Sequence, residues 1–417
     1  MNVIVFEDSQ VLQLQPITTA RPAFSITCGS LRLIDFLRSL PGVKLQAFVR
    51  PHLREIVPLD HSYLTSQLDH NDPHTIVVSA RCAPCKANFD AIASMVDTPS
   101  NGSFALDELS NVAFGVLDTK QLADANADNL VELLSNELPG KPTHSATAPA
   151  FCLPHDVIRF NQEFFNDNLQ LLIEQRGISQ TRDGLYVADD ANVADSIAVG
   201  TTDGPVVIDS KAKVKPFAYL QGPVYIGPNC TVNEHSAIKD YVCLTHTIKA
   251  GGEIEATVIE PYSNKQHHGF LGHSYLGSWI NLGAGTCNSD LKNTYGTVSA
   301  VYGDQKINTQ MQFVGCFVGD YSKSAINASI YTGKSIGVCS MMYGIVPTNV
   351  PSFVNYAKVF DQITEVPAAV MTTTQARMFA RRGIEQRACD IQLMNRMFEL
   401  TKSERQSDKI VAAQLSF

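Results

Sequence analysis

Three of the chain's eleven histidines fall within seven positions, His267, His268 and His273, in the run Tyr262-Ser263-Asn264-Lys265-Gln266-His267-His268-Gly269-Phe270-Leu271-Gly272-His273-Ser274-Tyr275-Leu276-Gly277. Acyl transfer from a thioester to an amine needs a base for the amine proton and donors for the tetrahedral oxyanion. Histidine is matched to the first task near neutral pH. Within the run His273 and His267 both qualify as the base. Lys265 and the downstream Lys292 could meet a sugar phosphate as point charges, although a lone lysine is more often solvated surface. Directly after the run comes Asn281-Leu282-Gly283-Ala284-Gly285-Thr286-Cys287-Asn288-Ser289-Asp290, a second stretch rich in amide, hydroxyl and glycine positions.

What must hold these residues is legible as a repeat. From Ile208 an apolar residue recurs every sixth position, at Val214, Leu220, Ile226, Val232, Ile238 and Leu244. A helix would space them by three and four and a simple strand by two, so neither template fits. If each six-residue unit is a short strand plus a turn, three units close a triangular coil of ~18 residues whose sixth-position residues all point inward. The pattern appears earlier at Val187, Val193 and Val199, and later at Leu276, Leu282, Val318, Ile330, Ile336 and Met342, with Ser324 the polar exception. Turn-forming pairs such as Gly222-Pro223, Gly227-Pro228 and Asp209-Ser210 stand where the chain would bend. The rhythm is lost between about 255 and 317, so the histidine run reads as an insertion on the coil stack.

These features resemble the hexapeptide-repeat acyltransferases, and more closely the acetyltransferase half of the bifunctional N-acetylglucosamine-1-phosphate uridyltransferase/glucosamine-1-phosphate acetyltransferase and its archaeal sugar-1-phosphate relatives. There a Gly-His-x-x-Tyr-x-Gly segment precedes Asn-x-Gly-Ala-Gly-Thr and an asparagine. The resemblance implies a left-handed parallel β-helix with His273 as base. It implies Asn281 and Ala284 at the positions that meet acetyl-CoA, Asn288 as the substrate asparagine and Tyr275 as the sugar-phosphate tyrosine. Asn264 joins Lys265 and Lys292 among the substrate-binding candidates. The His-to-Tyr spacing is one residue shorter here and the Thr-to-Asn spacing two shorter, which keeps His267 in contention. Family members trimerise, so a homotrimer is implied.

The amino-terminal part reads as α/β. Val3-Ile4-Val5-Phe6 is a buried first strand, and Pro16-Ile17-Thr18, Arg21-Pro22-Ala23 and Cys28-Gly29-Ser30 can be laid against the sugar nucleotidyltransferases, a Rossmann-like family. In that family a glycine-rich loop cradles nucleotide phosphates and a lysine follows the Arg-Pro. Here Glu7-Asp8-Ser9-Gln10-Val11-Leu12-Gln13 has no glycine, and Ala23 replaces the lysine. Asp8 and Arg21 remain as nucleotide-binding candidates, with Mg²⁺ required only if this half is active. The organisation expected is a divergent nucleotidyltransferase-like domain over 1–176, a β-helix over 177–345 with its insertion, and an irregular and helical tail over 346–417. Phe151–Gln175 should be a helix leading into the coils. In the tail Arg377, Arg381, Arg382, Arg387 and Arg396 alternate with apolar residues, a solvated face or contacts to coenzyme phosphates.

Bulk properties bound the alternatives. A net charge of −9 argues against a chain-wide nucleic-acid role. No apolar run approaches the ~18 residues of a membrane span. The ten cysteines are scattered apart from Cys82 and Cys85 and fit reduced thiols in the cytoplasm; no metal site is expected. The reading is acetyl-CoA-dependent N-acetyl transfer to an amino-sugar phosphate or nucleotide sugar. The alternatives are sugar-1-phosphate nucleotidyl transfer and a non-catalytic sugar-nucleotide-binding trimer.

Overall fold

A computed structural model describes residues 1–138, 147–413 and 415. Residues 139–146, inside the expected first domain, and 414, 416 and 417 of the expected tail lie outside them. Contacts divide the chain into two units. The first comprises Met1–Leu14, Arg21–Ile26 and Leu31–Leu153, and the second Gln15–Ala20, Thr27–Ser30 and Pro154–Phe417.

In the first unit the strands β1 (Asn2–Phe6), β2 (Lys44–Phe48), β3 (His74–Ser79), β4 (Phe104–Leu106) and β5 (Val112–Asp118) form one sheet in the order β2-β1-β3-β5-β4. β1 runs parallel to both β2 and β3, while β5 is antiparallel to β3 and β4. Every residue of β1 is buried, as a central parallel strand requires. Helices α1 (Leu33–Ser39), α2 (Val57–Asp60), α3 (Lys86–Asp97) and α4 (Leu130–Glu137) accompany the sheet. Leu130 and Leu134 of α4 pack with Ile4, Phe6, Val77 and Leu117. The strand order reverses at β1, so the loops after Phe6 and Ser79 flank the crevice that such sheets use for ligands.

The second unit begins with the long helix α5 (Pro154–Arg176), the helix expected from the apolar spacing of Phe151–Gln175. The β-helix follows as expected. One inward column runs Ile208, Ile226, Leu244, Ile259, Leu276, Val318 and Ile336, each paired in parallel register with the next. A second runs Val193, Val214, Val232, Ala250 and Lys265, and a third Val199, Leu220, Ile238, Ile254 and Leu271. Together they build one apolar core in which Val187, Val193 and Val199 are the half-buried outer residues. Ser324 keeps its place inside because its hydroxyl accepts the Gly283 N–H at 3.0 Å and meets the Thr286 hydroxyl at 2.7 Å.

The coils turn through left-handed residues at Lys211, Phe217, Asn229, His235, Tyr241 and Thr247, and the rhythm continues at Ala256, Tyr262, His273 and Trp279, all with positive φ. None of these ten is glycine, so composition alone gives little warning of them. The expected insertion at 255–317 is corrected by the strands, which continue in register through Phe270–Gly272 and Tyr275–Leu276, the latter pairing on to Cys316–Val318. The coil from Ile226 to Leu244 takes 18 residues, but the next two take 15 and 17, so a fixed count of six fails while the stacking persists. The chain leaves the stack between Asn288 and Cys316, where Ser299–Tyr302 and Gln305–Asn308 form an antiparallel hairpin. After the last coils come α6 (Ala368–Ala380), α7 (Ala388–Leu400) and α8 (Lys402–Ser407). Among the described residues no helix is long and apolar enough to cross a membrane.

Candidate functional site

His273 sits at a coil corner with φ +46°, its N–H donating to the Glu255 carbonyl at 3.0 Å and its carbonyl accepting from Gly315 at 2.8 Å. Two neighbouring coils thereby pin the backbone, and the imidazole is held in turn. Nδ1 lies 2.8 Å from Asp290 Oδ2, and the ring stacks on Phe313 with centroids 5.1 Å apart. Nε2 has no partner among the described residues. A carboxylate on Nδ1 fixes the tautomer in which Nε2 carries the lone pair, the arrangement of a general base. Gly272 makes room for this: a Cβ there would come within 2.3 Å of Asp290 Oδ2. Asp290 received no role from the sequence, yet it stands 17 residues after His273, one local coil length. The spacing was a usable signal once the coil length was known.

Around this pair the other expected residues divide. Asn288 is buried and bonds Gly272 on both sides of its amide, accepting its N–H at 2.8 Å and donating to its carbonyl at 3.0 Å. Expected as the substrate asparagine, it braces the wall behind His273 here. Tyr275 is fully buried, its hydroxyl donating to Glu260 Oε1 at 2.8 Å, and that carboxylate also accepts the Thr27 N–H at 3.0 Å. A sugar phosphate does not reach a hydroxyl placed there. Lys265 is corrected for the same reason: it occupies an inward column below Ala250, 1% exposed, with Nζ donating to the Gly251 and His267 carbonyls at 3.1 and 2.5 Å. Burial brings its pKa down to about 8. Lys292 Nζ donates to the Thr297 carbonyl at 2.9 Å on the excursion. His267 is exposed, its Nε2 3.0 Å from the Gln266 amide nitrogen, with no carboxylate bonded to it among the described residues.

Asn264 and Asn281 come together elsewhere on the second unit, 3.4 Å apart through Nδ2 and Oδ1 on adjacent coils. They line a cavity of about 330 Å³ together with Lys249, Lys323, Arg381 and Arg382 and the stacked rings of Tyr262 and Trp279, whose centroids lie 4.4 Å apart. Arg382 Nη2 donates to Asn264 Oδ1 at 2.9 Å. Ala284, expected beside Asn281 at the acyl donor, is half-buried and accepts the Asn327 N–H on its carbonyl at 2.7 Å. It is not among the residues lining this cavity.

In the first unit the crevice at the ends of β1 and β3 is filled by the protein's own charges. Glu7 Oε1 accepts the Ala23 N–H at 3.0 Å, and Oε2 accepts the Arg50 N–H at 2.9 Å and its Nε at 3.0 Å. The Glu7 carboxylate thus takes the backbone amide and guanidinium donors that would otherwise suit a phosphate. Asp8 is bound by the fully buried Arg81 through Nε and Nη2 at 2.9 and 2.8 Å, and Arg81 also holds Asp107 at 2.6 Å. These carboxylates raise the Arg81 pKa against its burial. Asp8, expected as a nucleotide-binding candidate, is held here as an ion-pair partner of Arg81. Arg21 is half-buried and its carbonyl accepts Arg50 Nη2 at 3.0 Å.

Comparison with known proteins gives a match of residues 3–177 to the family described as sugar nucleotidyl transferase. A bifunctional sugar-1-phosphate nucleotidylyltransferase/acetyltransferase of Sulfurisphaera tokodaii is 29% identical over 154 residues, 36% of this chain and 38% of that protein. The bifunctional protein GlmU of Buchnera aphidicola subsp. Schizaphis graminum is 30% identical over 95 residues, 22% of this chain and 20% of that one. The chain therefore spans well under half the length of these relatives. Among solved structures, the Francisella novicida UDP-N-acetylglucosamine acyltransferase aligns over 55% of this chain and 87% of its own, at 16% identity and a TM-score of 0.30. Residues 3–177 thus match a sugar nucleotidyl transferase family, a parallel β-helix follows them, and over part of its length the chain resembles the bifunctional sugar-1-phosphate nucleotidylyltransferase/acetyltransferases.

Proposed function

We propose that the second unit is an N-acyltransferase that takes acetyl-CoA as substrate and acetylates the amine of a hexosamine phosphate or nucleotide-linked amino sugar. The observation that carries this is the His273 imidazole held by Asp290 at 2.8 Å, with no partner on its other ring nitrogen among the described residues. In the reaction the amine nitrogen attacks the thioester carbonyl, its proton passes to His273 Nε2, and the C–S bond breaks as the thiolate leaves and takes that proton from the imidazolium to become the free thiol. Asp290 orients the ring and stabilises the imidazolium that forms. His267, with a freely exposed ring, is the competing base. Release of free thiol from acetyl-CoA with glucosamine-1-phosphate and a panel of amino sugars tests the reading. Turnover that falls at least a hundredfold in His273→Ala and stays within threefold in His267→Ala supports it. No turnover with any acceptor overturns it.

Sugar-1-phosphate nucleotidyl transfer by the first unit is the second reading, favoured by the match over residues 3–177. It would need Mg²⁺, and the carboxylates at the crevice do not fit that ion as arranged, because Asp8 and Asp107 already share the Arg81 guanidinium. Pyrophosphate release from a nucleoside triphosphate and a sugar-1-phosphate, lost in Arg21→Ala, would establish it. The proposal also carries a homotrimeric assembly, testable by light scattering, and a cytoplasmic location, which the ten free thiols fit.

A further inference from the structure

The cavity beside α6 is set apart by its charge balance: four cations line it and, among the described residues, no carboxylate does. Its floor is a ladder on one face of the β-helix in which Lys249 pairs with Asn264, Asn264 with Asn281, and Asn281 with Lys323, one residue per coil. At the ~4.8 Å spacing of neighbouring strands this sets the two lysines ~14 Å apart with two amides between them. Met378 of α6 and the arginines that follow the helix form the opposite wall. Arg382 is anchored through Asn264, which aims its planar fork across the floor. Arg381 and Lys249 have no side-chain partner among the described residues, and Lys323 donates only to the Tyr321 carbonyl at 2.9 Å.

Cations drawn together without a counter-charge repel one another and lose solvation, so the arrangement is favourable only when an anion completes it. Burial already pulls the Lys323 pKa to about 8, and burial with the neighbouring Arg381 lowers that of Arg382. A monoanion would leave most of this charge uncompensated. We propose that this cavity binds a diphosphate group, the arginine forks taking the phosphoryl oxygens and the two lysines and amides bounding the ends. A coenzyme A and a nucleoside diphosphate both carry that group. The charge of the cavity stands whether or not His273 transfers acyl groups.

Calorimetric titration of the full chain with inorganic pyrophosphate, UDP and coenzyme A tests this. At least one should bind with a dissociation constant below a millimolar and weaken tenfold or more in the Arg381→Gln/Arg382→Gln double variant and in Lys323→Met. Lys211→Gln, outside the cavity, should bind as the wild type does, and the heat is read without any acceptor or turnover, which separates this binding from the acyl-transfer reading. Tighter binding of coenzyme A than of UDP identifies the acyl donor as the source of the diphosphate, and the reverse identifies a nucleotide. Absence of heat with all three probes at millimolar concentration overturns the assignment. So does undiminished affinity in both cavity variants when their circular dichroism and melting temperature match the wild type.

Discussion

At the scale of residues, the proposed acyl transfer would depend on one carboxylate and the glycine that admits it. Asp290→Asn keeps the size of the side chain but removes the charge that steadies an imidazolium, so thiol release should fall tenfold to a thousandfold with the acceptor KM little changed, measured by steady-state kinetics. Gly272→Ala should do the same by geometry, since its Cβ would displace Asp290. Equal turnover in wild type and both variants would remove Asp290 from the mechanism. Lys265 makes a different prediction. Its folded pKa, about 8, lies below the ordinary lysine value, so the folded chain binds fewer protons than the unfolded one between these pH values. The sign follows: the buried ammonium lowers stability below pH 8, and that penalty is relieved as pH rises toward 10.5. Lys265→Met should therefore stabilise the protein at pH 7 by roughly 2 kcal/mol, the two carbonyl hydrogen bonds of the lysine offsetting part of the desolvation. Denaturant midpoints at pH 7 and pH 10 check it, and a gain that does not shrink at the higher pH would contradict it.

At the scale of elements, the same residue shows what a sequence discloses and what it hides. The columns from Ile208 to Leu244 were legible because each coil takes 18 residues and an apolar residue marks every side. Beyond Ile254 the coils shorten and an inward position is filled by Lys265, so the pattern reads as an insertion although these strands still pair in register with the coil before them. His273 was identifiable from its type and neighbours. Asp290, Lys249 and Lys323 were not, because their partners lie one to several coils away and contact needs the coil length. Tyr275 and Asn288 were assigned to substrate by resemblance, whereas burial gives their polar groups to the frame. The stacking itself yields a prediction. Ile238 is fully buried between Leu220 and Ile254. Ile238→Ala should cost about 3 kcal/mol through lost burial and the cavity left behind. Because each coil contacts chiefly its neighbours, amide exchange should accelerate most in the coils on either side of it. Uniform acceleration along all coils would show instead that the β-helix unfolds as a single block.

At the scale of the whole molecule, the two units carry opposite electrostatic designs. In the first, the ligand crevice of the sheet is internally neutralised: Glu7 is matched by Arg50, and Asp8 and Asp107 by Arg81. In the second, cations gather without a matching carboxylate. A charge pair enclosed by protein is strongly missed when one partner goes, because the other is left where water cannot solvate it. Asp8→Ala leaves the fully buried Arg81 with Asp107 alone, and the loss should be on the order of 3 kcal/mol. Since the contacts of Asp8 and Arg81 lie inside the first unit, calorimetry should show one thermal transition moving down and another staying in place. Thiol release measured below the lower transition should stay within twofold of wild type. If it collapses together with the first unit, the acyl-transfer site depends on that unit's folding, and the internal ion pairs serve the chemistry of the second.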